Sequence, residues 1–298
     1  WRIVASEAKR QNKTVHVGRV FDICVEKNSE LPKDNPDRKF KGRVVFEGCH
    51  VKDESNNWAI FSEIASCPAT MEAGKACDAY GLFAGNDVQC ADGEAAYTQA
   101  LLGGTETWVT LPEERWPDSW FHDGAGRKKP KFDRPVCRLR LALYGHPDSG
   151  GFWEKHCEQC LAEVGFRPID KMRNWKSVFW HDKLRLMLVV YVDDFKLAGP
   201  AQHLAQGWEM IGKKIQMGKQ GPVGRYLGCQ HTIYQQKNTK AFEPRTAWMA
   251  DQPSKKSPPV VPFGDAPNKN SESETVGNHL ARTSDVKFMK YDMKSFLE

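Results

Sequence analysis

Two adjacent carboxylates, Asp193 and Asp194, interrupt an otherwise apolar, β-branched run at Leu184–Gly199, LRLMLVVYVDDFKLAG. Such a run reads as a buried strand pair, and its break as the turn joining them. Burying two neighbouring anions is costly unless something cationic compensates, so the apex reads as a place to hold a metal ion. The plainer alternative is a solvated Asp-Asp hairpin turn. Two-metal phosphoryl transfer needs acidic ligands from more than one strand. The segment Ala91–Ala100, ADGEAAYTQA, supplies Asp92, with Asp87 in the neighbouring NDVQ as its rival. Strand side chains alternate faces, so a turn can bring one of Asp193 and Asp194 to the face that carries Asp92. Asp193 is expected to be the closer ligand.

The tetrad Tyr191-Val192-Asp193-Asp194 resembles the catalytic turn of reverse transcriptases. Asp92, followed by Ala96 and Tyr97 in a D-x-x-x-A-Y/F pattern, resembles the first carboxylate motif of the same polymerases, and Asp87 lacks the aromatic. Pro135–Phe166, PVCRLRLALYGHPDSGGFWEKHCEQCLAEVGF, resembles the copia-type retrotransposon pattern V-C-x-L-x-x-A-L-Y-G followed by an aromatic helix and G-F. Upstream, GRVFDICVEK and RKFKGRVVFEG look like that family's W-V-F-K-I-K and Y-K-A-R-L-V-A-K-G. Downstream, Gly224–Cys229 looks like its Y-F-L-G-I segment. The resemblance, to the reverse transcriptase domain of a copia-type LTR retrotransposon polyprotein, covers roughly residues 15 to 235.

That resemblance implies an α+β fold of the right-hand polymerase type, an antiparallel palm sheet backed by helices, with fingers and a partial thumb. It places fingers at about 17–86 and 105–149 and palm at about 87–104 and 150–235. It implies an RNA-directed DNA polymerase that joins a dNTP to a primer 3′-hydroxyl by two-metal nucleotidyl transfer, with two Mg²⁺ ions or Mn²⁺. The metal set would be Asp92, Asp193, Asp194 and the backbone carbonyl of Gly93, where the family carries a bulkier residue. Lys41 and Arg43 fall where the family's finger hairpin meets the triphosphate, and Tyr97 where an aromatic lies under the incoming sugar. Gly145 and Ser149 fall where backbone and small side chains approach the nascent base pair, although HPD here replaces the common L-K-Q. Lys213 and Lys214 are both eligible to protonate pyrophosphate. Implied partners are an RNA or DNA template with primer, dNTPs and other segments of the same polyprotein. The implied setting is intracellular, cytoplasmic in virus-like particles, with the nucleus as a second compartment. Two other readings stand beside this one: a decayed, inactive copy that keeps the fold, and a nucleic-acid-binding protein without catalysis.

Composition is compatible with each. A chain of 298 residues, 40% hydrophobic and 27% charged, can bury a substantial core. The net charge of +5 is mild, so the clusters Arg38–Arg43, Arg127–Lys131 and Lys213–Lys219 matter more to a phosphate-bearing partner than the sum. Nine scattered cysteines, an odd number, fit a reducing compartment. The pair in HCEQC, His156–Cys160, lies on a predicted amphipathic helix at Gly151–Val164 and has no second ligand pair nearby, so it reads as core packing rather than zinc. No apolar stretch approaches the ~18 residues of a membrane span.

The remaining elements follow from pattern. Residues 1–16 read as a polar, helical lead-in, and His16–Val51 as two strands around a polar turn. Ser66–Phe83 has helical spacing after a proline, Thr105–Phe132 is loop-like, and 236–278 reads as a flexible linker or disordered tract. The last segment, 279–298, is expected to begin a helical thumb. From the start at Trp1 rather than Met, the chain is expected to be a fragment or a processed piece of a longer reading frame.

Overall fold

The computed structural model describes residues 1–61, 68–122, 129–169, 175–236 and 286–293. The chain is α+β and divides into two compact units, one formed by Trp1–Gly81 with Gly85–Val223, the other by Leu82–Ala84 with Gly224–Glu298.

The first unit opens with α1 (Arg2–Arg10), which buries Ala5 and Ala8 and carries Lys9 and Arg10 in its last turn, where cations oppose the helix dipole. Strands β1 (Val15–Lys27) and β2 (Lys39–Phe46) form the expected antiparallel hairpin, with Val20 opposite Phe46 and Lys27 opposite Lys39. Short β3 (Lys52–Asp53) also pairs with β1. Next come α2 (Met71–Gly81), β4 (Asn86–Asp92) and β5 (Glu106–Thr110). The loop expected at Thr105–Phe132 therefore contains a strand, which runs parallel to Val15–Arg19 of β1. Its sequence, ETWVT, alternates buried and half-buried positions, a period-2 signal that the surrounding Trp and Pro residues obscured. The segment also holds β6 (Phe121–His122), which pairs with β7 (Lys129–Pro130). Strand β8 (Cys137–Arg138) then completes a five-stranded sheet in the order β2-β1-β5-β8, with β3 beside β1. Only the first half of β1 lies in that sheet, and its outer half with β2 extends as an exposed ribbon.

The second sheet of this unit positions the carboxylates. Helix α3 (Ser149–Glu163) precedes β9 (Arg167–Pro168), β10 (Val178–His181), β11 (Leu186–Tyr191), β12 (Asp194–Pro200), α4 (Ala201–Gly212) and β13 (Gly221–Pro222). The order β13-β4-β12-β11-β10-β9 is antiparallel throughout. Because neighbours in a strand face opposite ways, Phe195 and Leu197 bury on one face with Trp153, Cys157 and Leu161 of α3 and Leu204, Trp208 and Ile211 of α4. Val88, Cys90, Lys196 and Ala198 take the other face, which α2 covers: the Cys77 thiol lies 3.7 Å from the carbonyls of Met187 and Lys196. The expected helix at Ser66–Phe83 is thus present as Met71–Gly81, with residues 62–67 outside the described set.

The second unit holds β14 (Arg225–Tyr226), β15 (Cys229–Gln236) and β16 (Val286–Asp292), an antiparallel sheet in that order. The C-terminal segment expected to be helical is therefore a strand where it is described. VKFMKYD alternates exposed and half-buried positions over its first five residues, and pairing with β15 satisfies the backbone groups along one edge. Apart from Gln236 at the end of β15, the expected linker lies outside the described residues. Among the described residues no helix is long and apolar enough to cross a membrane.

Candidate active site

The turn between β11 and β12 is as tight as a hairpin allows: Tyr191 pairs with Asp194, leaving Val192 and Asp193 as its two central residues. Val192 has φ +56°. A positive φ at the first central position alone is the pattern of a II′ turn, which follows the right-handed strand twist but normally takes glycine there. A β-branched residue in that conformation is strained. What holds it is visible: the buried Trp153 indole donates to the Val192 carbonyl at 2.8 Å, and the Gly93 N–H donates to the Asp193 carbonyl at 2.6 Å.

Asp92 ends β4 directly opposite Asp194, so the two side chains leave the sheet on the same face. Its backbone is clasped from the other side as well, since the Gly218 N–H donates to the Asp92 carbonyl at 2.7 Å and Glu94 donates to Gln216 at 3.0 Å. Asp87 sits at the other end of the strand, where its carboxylate accepts from the Val88 N–H at 2.8 Å. Geometry therefore separates the rivals, and Asp92 is the residue beside the Asp pair. Gly93 is buried, and a Cβ there would stand 3.2 Å from the Phe195 ring and 3.4 Å from the Asp193 carbonyl, so the glycine suits the close approach of the two strands.

Crowding three carboxylates has the expected electrostatic result. Burial, then the charge of Asp193, raises the Asp92 pKa, while Lys41 and Lys27 act to lower it. Asp194 is pushed up to about 6, first by burial and then by Asp193 and Asp92. The charge that presses most on Asp92 is that of Asp193. Among the described residues, only Glu47, Cys49 and His50 bring three potential ligand atoms within 4.8 Å of one another, so the aspartates form a more open set. All their donors are carboxylate oxygens from adjoining strands, which suits a hard divalent cation.

The ribbon of β1 and β2 supplies the cations. Lys41 and Arg43 are exposed and lie two residues apart on β2, hence on one face. The Lys41 pKa is lowered, mainly by burial and then by Lys27 and Arg43, while Asp92 and Asp193 act in the opposite direction. Lys41 thus stands within electrostatic reach of the aspartates. Lys27, which pattern reading did not single out, belongs to the same group.

Tyr97 lies in a 3₁₀ turn, Ala96–Gln99. Its ring packs at 4.6 Å from that of Tyr144, over which the Arg43 guanidinium lies at 5.5 Å. Burial and the charge of Asp193 raise both phenol pKa values, which ties the aromatic pair to the same site. Tyr144 escaped the sequence reading although it stands next to Gly145.

Gly145 and Ser149 shape the turn that follows Tyr144. Gly145 has φ +87°, and a Cβ there would sit 2.1 Å from the Phe46 carbonyl, so only glycine lets this turn close on the end of β2. The buried Ser149 hydroxyl accepts from the Leu143 N–H at 2.9 Å and donates to the Leu143 carbonyl at 2.7 Å. Lys213 and Lys214 form surface ion pairs, with Glu209 at 2.8 Å and Glu163 at 2.6 Å. Cys157 and Cys160 of the HCEQC pair face the core of the second sheet.

No protein-family model matches the chain, and no curated protein sequence matches it.

Proposed function

We propose that the chain is the RNA-directed DNA polymerase module of a copia-type retrotransposon polyprotein. The observation that carries this reading is the meeting of Asp92 with Asp193 and Asp194 on adjoining strand ends, within electrostatic reach of Lys41. On this reading the antiparallel sheet of β4, β12, β11 and β10 is the palm and the β1–β2 ribbon belongs to the fingers. A protein that only bound nucleic acid would gain nothing from three anions set against phosphate.

Asp92, Asp193 and Asp194 would hold two Mg²⁺ or Mn²⁺ ions, with the Gly93 backbone beside them. Those ions would supply the charge that eases ionisation of a primer hydroxyl and neutralises a triphosphate. Lys41 and Arg43 bind the triphosphate through charge-assisted hydrogen bonds. Tyr97, backed by Tyr144, orients the incoming sugar. The Gly145 turn, which closes on the end of β2, and Ser149, which bonds Leu143, would lie beside the nascent base pair. Template, primer and the remaining polyprotein segments are the partners, in the intracellular setting that such elements use.

The test is primer extension on an RNA template by the purified chain with Mg²⁺ or Mn²⁺, alongside calorimetric Mn²⁺ binding. Wild type extends the primer, whereas Asp92→Asn and Asp193→Asn abolish extension and weaken Mn²⁺ binding while the fold persists. Equal extension by wild type and Asp193→Asn sinks the assignment. Folded, Mn²⁺-binding protein that never extends a primer identifies a decayed copy instead.

A further inference from the structure

We propose that Glu47, Cys49 and His50 form a second metal site, independent of the aspartates, that takes a borderline-soft divalent cation of the Zn²⁺ class. The three ligand atoms lie within 4.8 Å of one another on the turn that follows β2. His50 Nδ1 is 3.1 Å from Glu47 Oε1 and 3.3 Å from Cys49 Sγ. With metal–nitrogen and metal–oxygen bonds of ~2.0–2.2 Å and a metal–sulfur bond of ~2.3 Å, the edges of a tetrahedral site are about 3.3–3.6 Å. The two edges at His50 need to open by only a few tenths of an ångström, and the Glu47–Cys49 edge lies within 4.8 Å.

The hydrogen bonding points the same way. His50 Nδ1 faces both a carboxylate oxygen and a sulfur, and a proton on that nitrogen can be directed at only one of them. A cation in place of that proton, with Cys49 as thiolate and His50 neutral, would serve all three ligands.

The ligands are also held in advance. The Gly48 N–H donates to the Phe46 carbonyl at 3.1 Å and the His50 N–H to the Glu47 carbonyl at 3.3 Å, which fixes the spacing i, i+2, i+3. A Cβ on Gly48 would meet the Gly145 carbonyl, so this turn packs backbone to backbone against its neighbour. Glu47 is fixed by a bidentate pair with Arg19, whose Nε and Nη2 bond its two carboxylate oxygens, the latter at 2.8 Å. Support of this kind on a ligating carboxylate fixes its direction without occupying every lone pair. Cys49 and His50 are exposed, which leaves a fourth position to water. Thiolate and imidazole ligands separate this site from the oxygen-only aspartate set, so the two should sort hard and soft ions.

Co²⁺ titration of the reduced chain tests the site, with excess Mg²⁺ present to occupy the aspartates. Wild type should show a thiolate-to-Co²⁺ charge-transfer band with tetrahedral d–d absorption, displaced by stoichiometric Zn²⁺. Cys49→Ser and His50→Gln should each remove the band, and Arg19→Gln should weaken binding by about 10-fold. Cys24→Ser, which changes another exposed cysteine, should leave the band intact. No band in wild type, or a band that survives Cys49→Ser, overturns the proposal. Because primer extension is not measured, failure here leaves the polymerase reading untouched.

Discussion

Asp194 stands directly across the β4–β12 ladder from Asp92, and Asp193 projects from the turn beside them. Folding therefore brings Asp92 up to a pair of like charges that the unfolded chain keeps far from it, and pH decides how much this costs.

The Asp194 carboxyl, ordinarily near ~4, is held at about 6 in the fold. Below the ordinary value both states are protonated and nothing is lost. As pH rises through about 6 the folded protein must ionise Asp194 against burial and its neighbours, so stability falls across that window. Divalent cations reverse the loss only where the carboxylates are ionised. Without metal, the melting temperature of Asp194→Asn should fall less than that of wild type between pH 4 and pH 7 and should exceed it at pH 7. Stabilisation by Mg²⁺ should grow over the same interval in wild type alone. Parallel profiles for the two proteins would contradict the electrostatic account. Glu47, pulled down to about 2 chiefly by Arg19, works with the opposite sign and loses its contribution as pH falls, which is why the comparison is between variants.

Lys196 lies two residues beyond Asp194 on the same face, and its ammonium meets both Asp78 oxygens, at 2.8 and 3.0 Å, with each side chain at most 2% exposed. Removing one member of such a pair leaves a buried charge without its main counterion, whereas removing both exchanges two desolvation penalties for apolar contact. Lys196→Met should cost about 3–5 kcal/mol in urea denaturation, while the double variant Asp78→Leu with Lys196→Met should lie close to wild type or above it. A single variant as stable as wild type would show that the pair carries no net burden.

The strained turn gives a third expectation. Trp153→Phe keeps the core aromatic but removes the donor to the Val192 carbonyl, a loss of about 1–3 kcal/mol if that carbonyl stays buried without a partner. On the polymerase reading, a loosened Asp193 should lower kcat more than it raises KM. Val192→Gly relieves the positive φ and should not destabilise the protein. A Trp153→Phe enzyme with unchanged kcat would mean that the turn holds its shape without this bond.

How far the sequence revealed this arrangement depended on the range of the signal. The β1–β2 hairpin, the β11–β12 turn and the core helix α3 were legible because local periodicity and β-branched runs define them. VKFMKYD was not: a seven-residue amphipathic segment fits period 2 and period 3.6 almost equally, and its strand state depends on pairing with β15, some fifty residues earlier. Asp92 could be placed because a spacing pattern marked it. Lys27, Tyr144 and Trp153 enter the site through tertiary contact alone. Asp78 and Lys196 meet across a separation of 118 residues, and the one local sign was a lysine in the middle of an apolar strand.

Tyr97 offers the sharpest test of substrate choice. Its ring packs on Tyr144 at 4.6 Å and feels the charge of Asp193, so it borders the aspartates while also packing against the core. If it lies under the sugar of the incoming nucleotide, its ring meets a ribose 2′-hydroxyl and excludes it sterically. Exclusion of this kind needs no new attraction to fail, only removal of the ring. Tyr97→Ala should therefore raise kcat/KM for ribonucleotides relative to deoxynucleotides by at least about 10-fold, roughly 1.4 kcal/mol of lost discrimination. Tyr97→Phe, which keeps the ring, should discriminate as wild type does. The aromatic pair with Tyr144 also contributes to packing, so some thermal destabilisation of Tyr97→Ala is expected on either account. The ratio for the two sugars separates them: a ratio that does not move while the melting temperature drops would make Tyr97 a packing residue and not a gate.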